Sequence, residues 1–223
     1  MNKEIHFQDL GIIEYKAAWD YQEKLFAEKL KKKINHEPLE NHLLFCEHPH
    51  VYTLGKSGSE NNLLVNNKML QSLNVSFFKT NRGGDITYHG PGQIVGYPIL
   101  DLENFGLGVR TYIGLLEQSI INILEEYNIA GKRLPGATGV WLDPDIPGRT
   151  RKICAIGVKA SRHITMHGFA FNVNTDLKFF EMINPCGFTD KTVTSLEKEM
   201  GEKLEFEKVK KKVKTELLQL LHI

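Results

Sequence analysis

A cysteine held in a tight turn is the strongest candidate for covalent chemistry in this chain. Cys186 lies between Pro185 and Gly187, which predicts a turn from which the sulfur projects free of the core. Cysteine is the side chain best suited to forming covalent acyl intermediates near neutral pH. Burial as a small hydrophobic residue is the common alternative, and it fits Cys46 and Cys154, which lie in strand-like runs. The turn favours the nucleophilic interpretation for Cys186.

A lysine at the start of a strand is the second candidate. Lys152 opens the apolar run 152–159. Such a lysine is usually exposed, but beside a cleft its pKa would be lowered by desolvation and it could exchange protons near neutrality. Strict alternation along the strand places Lys152 on one face with Cys154 and Ile156, and Ala155 and Gly157 on the other.

A glycine-rich stretch is the third feature that could serve a ligand. Four glycines lie between Arg82 and Gln93, and an apolar strand over residues 94–100 follows. Glycines let a backbone approach a ligand closely, and Arg82, Tyr88 and His89 could line the same surface. The alternative is a hairpin-rich connection with incidental polar residues. The stretch matches neither the phosphate-binding GxxxxGK[ST] loop nor the GxGxxG fingerprint, so a nucleotide is not indicated.

Composition limits the remaining possibilities. The 223 residues predict a single domain over 1–223, and 28 basic against 27 acidic residues argue against a nucleic-acid binder. Three cysteines indicate a reducing compartment rather than a disulfide scaffold. No apolar run is long enough to cross a membrane, and the first residues show no signal-peptide pattern. We therefore expect a cytoplasmic protein.

Strands and helices alternate loosely along the chain, which predicts an α/β fold. Apolar patterning predicts strands near residues 5–13, 42–47, 51–54, 75–79, 94–100, 137–142, 152–161 and 166–174. Long helices are expected near 14–34 and 109–127 and from 206 onward. The two prolines of 143–148 predict an exposed loop.

Zinc binding is a competing hypothesis from a different functional class. Cys46, His48 and His50 alternate, and with Cys154, His163 or His167 they would form a ligand set. Pro49 interrupts the trio and no CxxC pair exists, so we expect no metal. A non-enzymatic scaffold would leave both the glycine-rich stretch and the cysteine turn without a purpose.

Four motifs in order resemble one known family. RGGDITYHGPGQ at 82–93, KICAIG at 152–157, HGFAFN at 167–172 and NPCG at 184–187 are similar to the lipoyl(octanoyl) transferases of lipoate synthesis. EHPHVYTLG at 47–55, TGVW at 138–141 and VTSL at 193–196 extend the resemblance over about residues 43–197. Asp85 inside the glycine-rich stretch and a longer loop at 143–150 depart from the family pattern.

The resemblance implies a fold, an activity and a set of roles. The fold is the α/β (α+β type) fold of the biotin and lipoate protein ligases, with a mixed sheet flanked by helices. The activity is octanoyl transfer from octanoyl-acyl carrier protein to a lysine of a lipoyl domain, in 2-oxo-acid dehydrogenase complexes or the glycine cleavage H protein. Cys186 would be the nucleophile and Lys152 the residue that tunes its ionisation. No cofactor, metal, nucleic acid or membrane is implied. The acyl chain would be surrounded by Arg82, Gly83, Gly84, Asp85, Ile86, Thr87, Tyr88, His89, Ala155, Ile156, Gly157, Gly168, Phe169 and Ala170.

Two related activities on the same fold remain open. An ATP-dependent lipoate or octanoate ligase would carry a basic Gly-Arg-rich adenylate loop, which this chain lacks. A lipoyl amidotransferase would take its octanoyl group from another lipoyl protein. His89 and His167 are expected to support the pocket rather than to act as acid or base.

Overall fold

The fold is built on two sheets and five helices in the part of the chain that the computed structural model describes, residues 2–184 and 191–221. The strands are β1 (Ile5–Ile12), β2 (Asn41–Glu47), β3 (Val51–Leu54), β4 (Ser76–Lys79), β5 (Ile86–His89), β6 (Gln93–Ile99), β7 (Gly131–Leu134), β8 (Ala137–Leu142), β9 (Arg151–Ser161), β10 (Ile164–Asn172) and β11 (Thr192–Val193). The helices are α1 (Tyr15–Ile34), α2 (Asn67–Ser72), α3 (Val109–Glu125), α4 (Leu196–Met200) and α5 (Phe206–Leu220). Short 3₁₀ turns cover Glu60–Asn62, Leu102–Phe105 and Leu177–Met182.

The larger sheet has the strand order β1-β2-β6-β10-β9-β8-β7, and β11 pairs with β9 beside this path. The pairs β1–β2 and β11–β9 are parallel, and the others are antiparallel. A second sheet has the order β4-β3-β5. The sheet is therefore mixed and flanked by helices, as the sequence predicted.

One face of the larger sheet is covered by α3 and α5. The residues beneath them form the main hydrophobic cluster, in which Phe45, Ile94, Val140, Cys154 and Phe171 are fully or almost fully buried. The periodic apolar stripe of α3 explains this packing, since its buried positions recur every three or four residues. Apolar packing fills most of this face, and Ile113, Ile156 and Phe169 from it also line the cavity described below.

The opposite face is only partly covered, by α1 and by the smaller sheet. The residues beneath α1 include Leu44, Val95, Tyr97 and Ala170. The smaller sheet forms its own cluster around Tyr52 and other apolar residues. Between these two covers, the small side chains of β9 and β10 leave a space that becomes the cavity described below.

Several short elements were missed by the sequence patterns. β7, α2 and α4 carry no predicted counterpart, and the glycine-rich stretch contains the regular strand β5. α2 and α4 are too short for a helical period to emerge, and both begin with a side-chain cap, from Asn66 and Ser195. Across the described ranges, no helix combines the length and apolar character that a membrane crossing demands.

Candidate active site

A cavity of about 430 Å³ opens on the α1 side of the larger sheet. Its deepest walls are buried residues such as Tyr15, Val95 and Tyr97, and its rim includes the exposed Thr138 and the half-buried Lys152. The volume falls in the range that binds small organic ligands, roughly 300–1,000 Å³. The cavity is therefore a pocket with a closed floor and a lysine at its mouth.

A β-bulge turns Lys152 toward this cavity. Val140 on β8 pairs with Cys154, whereas the next residue, Trp141, pairs with Lys152, so β9 contains one extra residue at this point. The extra residue shifts the alternation of side chains. Cys154 packs in the core, and Lys152 shares the cavity with Ala155. The prediction that Lys152 shares a face with Cys154 is therefore wrong, whereas Ile156 lines the cavity together with Lys152.

The ammonium of Lys152 is held between an aromatic ring and a carbonyl. Its Nζ lies 4.4 Å from the centre of the Trp141 ring and donates to the Thr138 oxygen at 3.3 Å. Gly139, beside Lys152, has a φ of 124°, and a Cβ there would approach the Cys154 carbonyl oxygen to 2.5 Å, so this position requires glycine. On its other side Lys152 pairs with Val193 of β11, which also lines the cavity. A cation is thereby fixed at the mouth of the cavity.

Arg82 fastens the glycine-rich stretch to the smaller sheet. Its Nη2 donates to the backbone carbonyl oxygen of Thr53 at 2.6 Å, to Thr53 Oγ1 at 2.9 Å and to the backbone carbonyl oxygen of Asp85 at 2.8 Å. The carboxylate of Asp85 accepts hydrogen bonds from Asn62 Nδ2 at 2.5 Å and from the Ile86 backbone at 2.6 Å. Arginine and aspartate thus order the wall of the cavity.

Replacing Arg82 by lysine is expected to lower the free energy of unfolding by about 2 kcal/mol. The buried guanidinium donates several charge-assisted hydrogen bonds at once, and a single ammonium group cannot replace all of them. Urea unfolding at neutral pH measures this change. Arg149→Lys, in an exposed loop position, is the matched control and should change stability little. Equal stability of the two variants would contradict the role assigned to Arg82.

Three buried histidines on the cavity side are held neutral. Burial lowers the pKa of His48 to about 4 and the pKa values of His89 and His167 to about 3. His89 and His167 line the cavity, whereas His48 lies behind its wall and hydrogen-bonds Tyr97 at 2.7 Å. At neutral pH these rings are therefore hydrogen-bonding groups without charge.

These histidines predict how stability depends on pH. In the unfolded chain each takes up a proton as the pH falls below about 6.5, whereas in the folded chain it does so only near pH 4 or 3. The unfolded state binds more protons in this window, so stability is expected to fall as the pH decreases from about 6.5 to 5. Urea unfolding across this range measures the slope. A flat profile would contradict the prediction.

Comparison with known proteins places this geometry in a family. The family model for the lipoyl protein ligase A/B catalytic domain matches residues 14–218. The chain belongs to this family. A relative from Flavobacterium psychrophilum named octanoyltransferase is 57% identical, with 99% of this chain and 97% of the relative covered. An octanoyltransferase from Parabacteroides distasonis is 54% identical over 96% of this chain and 97% of its own length. One from Porphyromonas gingivalis is 57% identical over 94% of this chain, which spans 43% of that longer protein.

Solved structures show the same lipoyl protein ligase fold. A lipoate-protein ligase A bound with ATP superposes with a TM-score of 0.69 at 12% identity, covering 100% of this chain and 87% of that one. The bipartite lipoate protein ligase from Thermoplasma acidophilum gives a TM-score of 0.67 at 13% identity, covering 98% and 85% of the two chains. The predicted biotin and lipoate ligase fold is thereby confirmed.

The structure brings nearly all of the predicted site residues of this family member to one cavity. Its lining includes Lys152 and Arg82, Gly83, Gly84, Asp85, Ile86, Thr87, His89, Ala155, Ile156, Gly157, Gly168, Phe169 and Ala170. Tyr88 does not line it, because the ring is fully buried in the smaller sheet and its hydroxyl lies 2.7 Å from His50 Nδ1. Cys186 lies outside the described residues. The ligand-binding roles of all these residues remain predictions.

Sequence reasoning missed a second group of lining residues. They come from elements whose patterns indicated only core packing or family likeness, and they are Tyr15, Gln93, Val95, Tyr97, Ile113, Gly136, Ala137, Thr138, Val158, His167, Asn172, Phe180 and Val193. Tyr15 is one of several apolar positions on an amphipathic helix, so its residue type and spacing predict a core position and do not indicate that it lines a cavity. His167 was in a motif but was assigned only a supporting role.

The residues of the zinc hypothesis have other partners in the structure. His48 Nδ1 donates to the Ile13 oxygen at 2.7 Å, and His50 bonds Tyr88. Within residues 2–184 and 191–221, no three histidine, cysteine, aspartate or glutamate side chains are grouped to hold a metal ion.

Proposed function

We propose that this protein transfers an octanoyl group from octanoyl-acyl carrier protein to a lysine of a lipoyl domain through a thioester on Cys186. The observation that carries the proposal is the cavity with the side-chain nitrogen of Lys152 at its mouth. The relatives named octanoyltransferase, which are 50–57% identical to this chain, support the same chemistry. The protein is then an acyltransferase that acts on lipoyl proteins.

In the first step the sulfur of Cys186 attacks the carbonyl carbon of the donor thioester. A free thiol is only a few per cent ionised at neutral pH, so a neighbouring base or cation accelerates the attack. Lys152 acts here as the neutral amine: it takes the thiol proton, becomes an ammonium and passes that proton to the carrier's departing sulfur, while the C–S bond to the carrier breaks. The octanoyl group is left on the enzyme as a thioester.

In the second step the amine of the target lysine attacks that enzyme thioester. Lys152 removes a proton from the incoming amine, and the departing Cys186 sulfur recovers one as the C–S bond breaks. An amide forms and the free enzyme returns. Because the first exchange converts one thioester into another, it is close to thermoneutral, and amide formation drives the sequence forward.

The described residues on both sides of Cys186 support its assignment to this site. Asn184 donates its N–H to the Asn62 oxygen at 2.8 Å, and Asn62 bonds Asp85 on the cavity wall. The described chain that leads to Cys186 is thereby attached to the cavity wall at Asn184. On the other side, Val193 lines the cavity and pairs with Lys152.

The proposed partners follow from the same reaction. The donor is octanoyl-acyl carrier protein in the cytoplasm, and the acceptors are the lipoyl domains of 2-oxo-acid dehydrogenase complexes and the glycine cleavage H protein. Carrier proteins are acidic, so a basic surface near the cavity mouth would steer their approach.

Mass spectrometry of the intact protein tests the proposal. After incubation with octanoyl-acyl carrier protein, we expect an added octanoyl mass, located on Cys186 by peptide mapping and lost when a lipoyl domain is supplied. Absence of the adduct, or its location on another residue, would contradict the mechanism. Pyrophosphate release from ATP and free octanoate would indicate the ligase instead. Transfer only from an octanoylated H protein would indicate the amidotransferase.

A further inference from the structure

A corridor of very small residues runs along the cavity between β9 and β10. Ala155 pairs with Ala170, and Gly157 pairs with Gly168. All four line the cavity. The two pairs are two residues apart, about 7 Å along the strands. An extended octanoyl group of about 9 Å, from ordinary bond lengths, spans this corridor when its carbonyl lies on the Lys152 side.

His167 stands at the end of the corridor because its backbone breaks the strand alternation. Regular alternation would point its side chain to the face of Phe169 and Phe171, which pack in the main core. Its φ of 59° is instead in the left-handed region, where histidine is one of the tolerated residues. The ring thereby reaches the α1 side and lines the cavity. Backbone strain of this kind persists where the surrounding structure holds it, often at functional sites.

The contacts of His167 determine which ring nitrogen carries its proton. Glu23 accepts a hydrogen bond from Asn81 Nδ2 at 2.7 Å, which leaves Asn81 Oδ1 as an acceptor. This oxygen lies 2.7 Å from His167 Nε2, so Nε2 carries the proton and donates. Nδ1 is then a bare acceptor. It is buried and has no hydrogen-bond partner among residues 2–184 and 191–221.

The other cavity histidine differs in this respect. The side-chain nitrogen of Gln93 donates to Asn172 Oδ1, so Gln93 Oε1 is the atom that faces His89 and can only accept. His89 therefore donates to it from Nδ1 at 2.8 Å. Its Nε2 lies 3.2 Å from Thr53 Oγ1. Both nitrogens of His89 are satisfied within the protein, whereas one nitrogen of His167 remains for a ligand or a water.

Gln22 supplies a complementary donor beside His167. Its Oε1 accepts the His167 backbone N–H at 3.1 Å. Its Nε2, like His167 Nδ1, is buried without a hydrogen bond inside the described ranges. A buried water needs two to four polar partners, and an acceptor together with a donor meets that requirement.

We propose that His167 is a specificity-determining residue that limits the length of the acyl chain. Its Nδ1 accepts a hydrogen bond from a water that also accepts from Gln22 Nε2, and this water closes the floor of the cavity. The inference rests on the proposed function, since it assigns the acyl group to this cavity. An octanoyl chain ends before the water. A longer chain displaces it and leaves the buried acceptor of His167 unpaired, which is unfavourable.

Binding of free fatty acids to the whole protein tests this inference by calorimetry. Hexanoate, octanoate, decanoate and dodecanoate form the probe series. For the wild-type protein, affinity should rise from hexanoate to octanoate and fall at decanoate. His167→Leu removes the acceptor and should shift the decanoate-to-octanoate affinity ratio at least tenfold in favour of decanoate, about 1.4 kcal/mol.

Two further variants separate this role from a purely structural one. His167→Asn tolerates the left-handed backbone and keeps an acceptor near the Nδ1 position, so the wild-type ratio should remain within about twofold. Gln22→Met removes the second partner without altering the strained strand and should shift the ratio in the same direction as His167→Leu. Thermal melting confirms that each variant is folded.

The outcomes distinguish the inference from the proposed function. Wild-type affinity that keeps rising through dodecanoate, or equal shifts in the Asn and Leu variants, would overturn the role of His167. Failure to transfer octanoyl from the carrier would instead refute the proposed function, while the fatty-acid series would still decide the length limit. If His167→Leu also raises the ratio of decanoyl to octanoyl transfer by a similar factor, the length limit seen in binding also operates in the transfer reaction.

Discussion

Replacing Lys152 by alanine is expected to reduce the rate of octanoyl transfer by about a thousandfold, within the range for removal of a positioned acid–base group. The bulge in β9 is what directs this side chain to the cavity mouth, and Trp141 and Thr138 hold it there. Without it, neither the thiol nor the incoming amine has a proton acceptor. Single-turnover assays with octanoyl-acyl carrier protein measure the loss.

Two control variants define what Lys152 contributes. Lys132→Ala removes an exposed lysine paired with Asp145 and should leave the rate unchanged. Lys152→Arg keeps a positive charge but cannot release a proton at neutral pH, so it should recover little of the lost rate if proton transfer dominates. A loss below tenfold in Lys152→Ala, with a folded protein, would refute the assigned role.

Replacing Cys186 by alanine is expected to abolish both transfer and the acyl-enzyme adduct, because the proposed mechanism carries the octanoyl group between its two partners on this sulfur. Cys154→Ala is the matched control. Cys154 is fully buried in the main core, and burial raises the pKa of its thiol, so it cannot serve as a thiolate. The control should lose some stability and keep its transfer rate.

The contrast between these variants is decisive because both remove one thiol. A normal adduct in Cys186→Ala, or its loss in Cys154→Ala with a folded protein, would show that the nucleophile is wrongly assigned. Alkylation with iodoacetamide before the assay gives an independent measurement. It should inactivate the wild-type protein in proportion to the modification of Cys186.

The long periodic segments were sufficient to predict an α/β fold and most of its longer helices and strands, whereas the lipoyl protein ligase fold was implied by the family resemblance. The stripe on α3 and the apolar runs of β6, β8 and β10 are recognisable without structural knowledge. Short elements such as α2 are decided by caps and tertiary packing, which leave little periodic signal. The cavity lining was likewise predicted through motifs, since the segments around Arg82, Ala155 and Gly168 meet in one place.

Two backbone irregularities at the site were not predictable from the pattern. The bulge beside Lys152 and the left-handed backbone of His167 each reverse the face on which a side chain lies. Alternation rules assume an unbroken strand, so they give the wrong face in both cases. The residues whose orientation is hardest to predict are therefore those that lie at the two ends of the corridor.

The short parallel pairing of β11 with β9 links the described residues after Cys186 to the strand of Lys152. Val193 pairs with Lys152, and Thr194 donates its N–H to the Lys152 oxygen at 2.9 Å. Arg151, the neighbour of Lys152, donates two hydrogen bonds of 2.7 Å to the carboxylate of Glu199 in α4. These bonds further stabilise the attachment of β11 and α4 to β9. The segment that carries the proposed nucleophile therefore rejoins the described fold on the backbone of the proposed proton acceptor, so a single backbone pairing serves both roles.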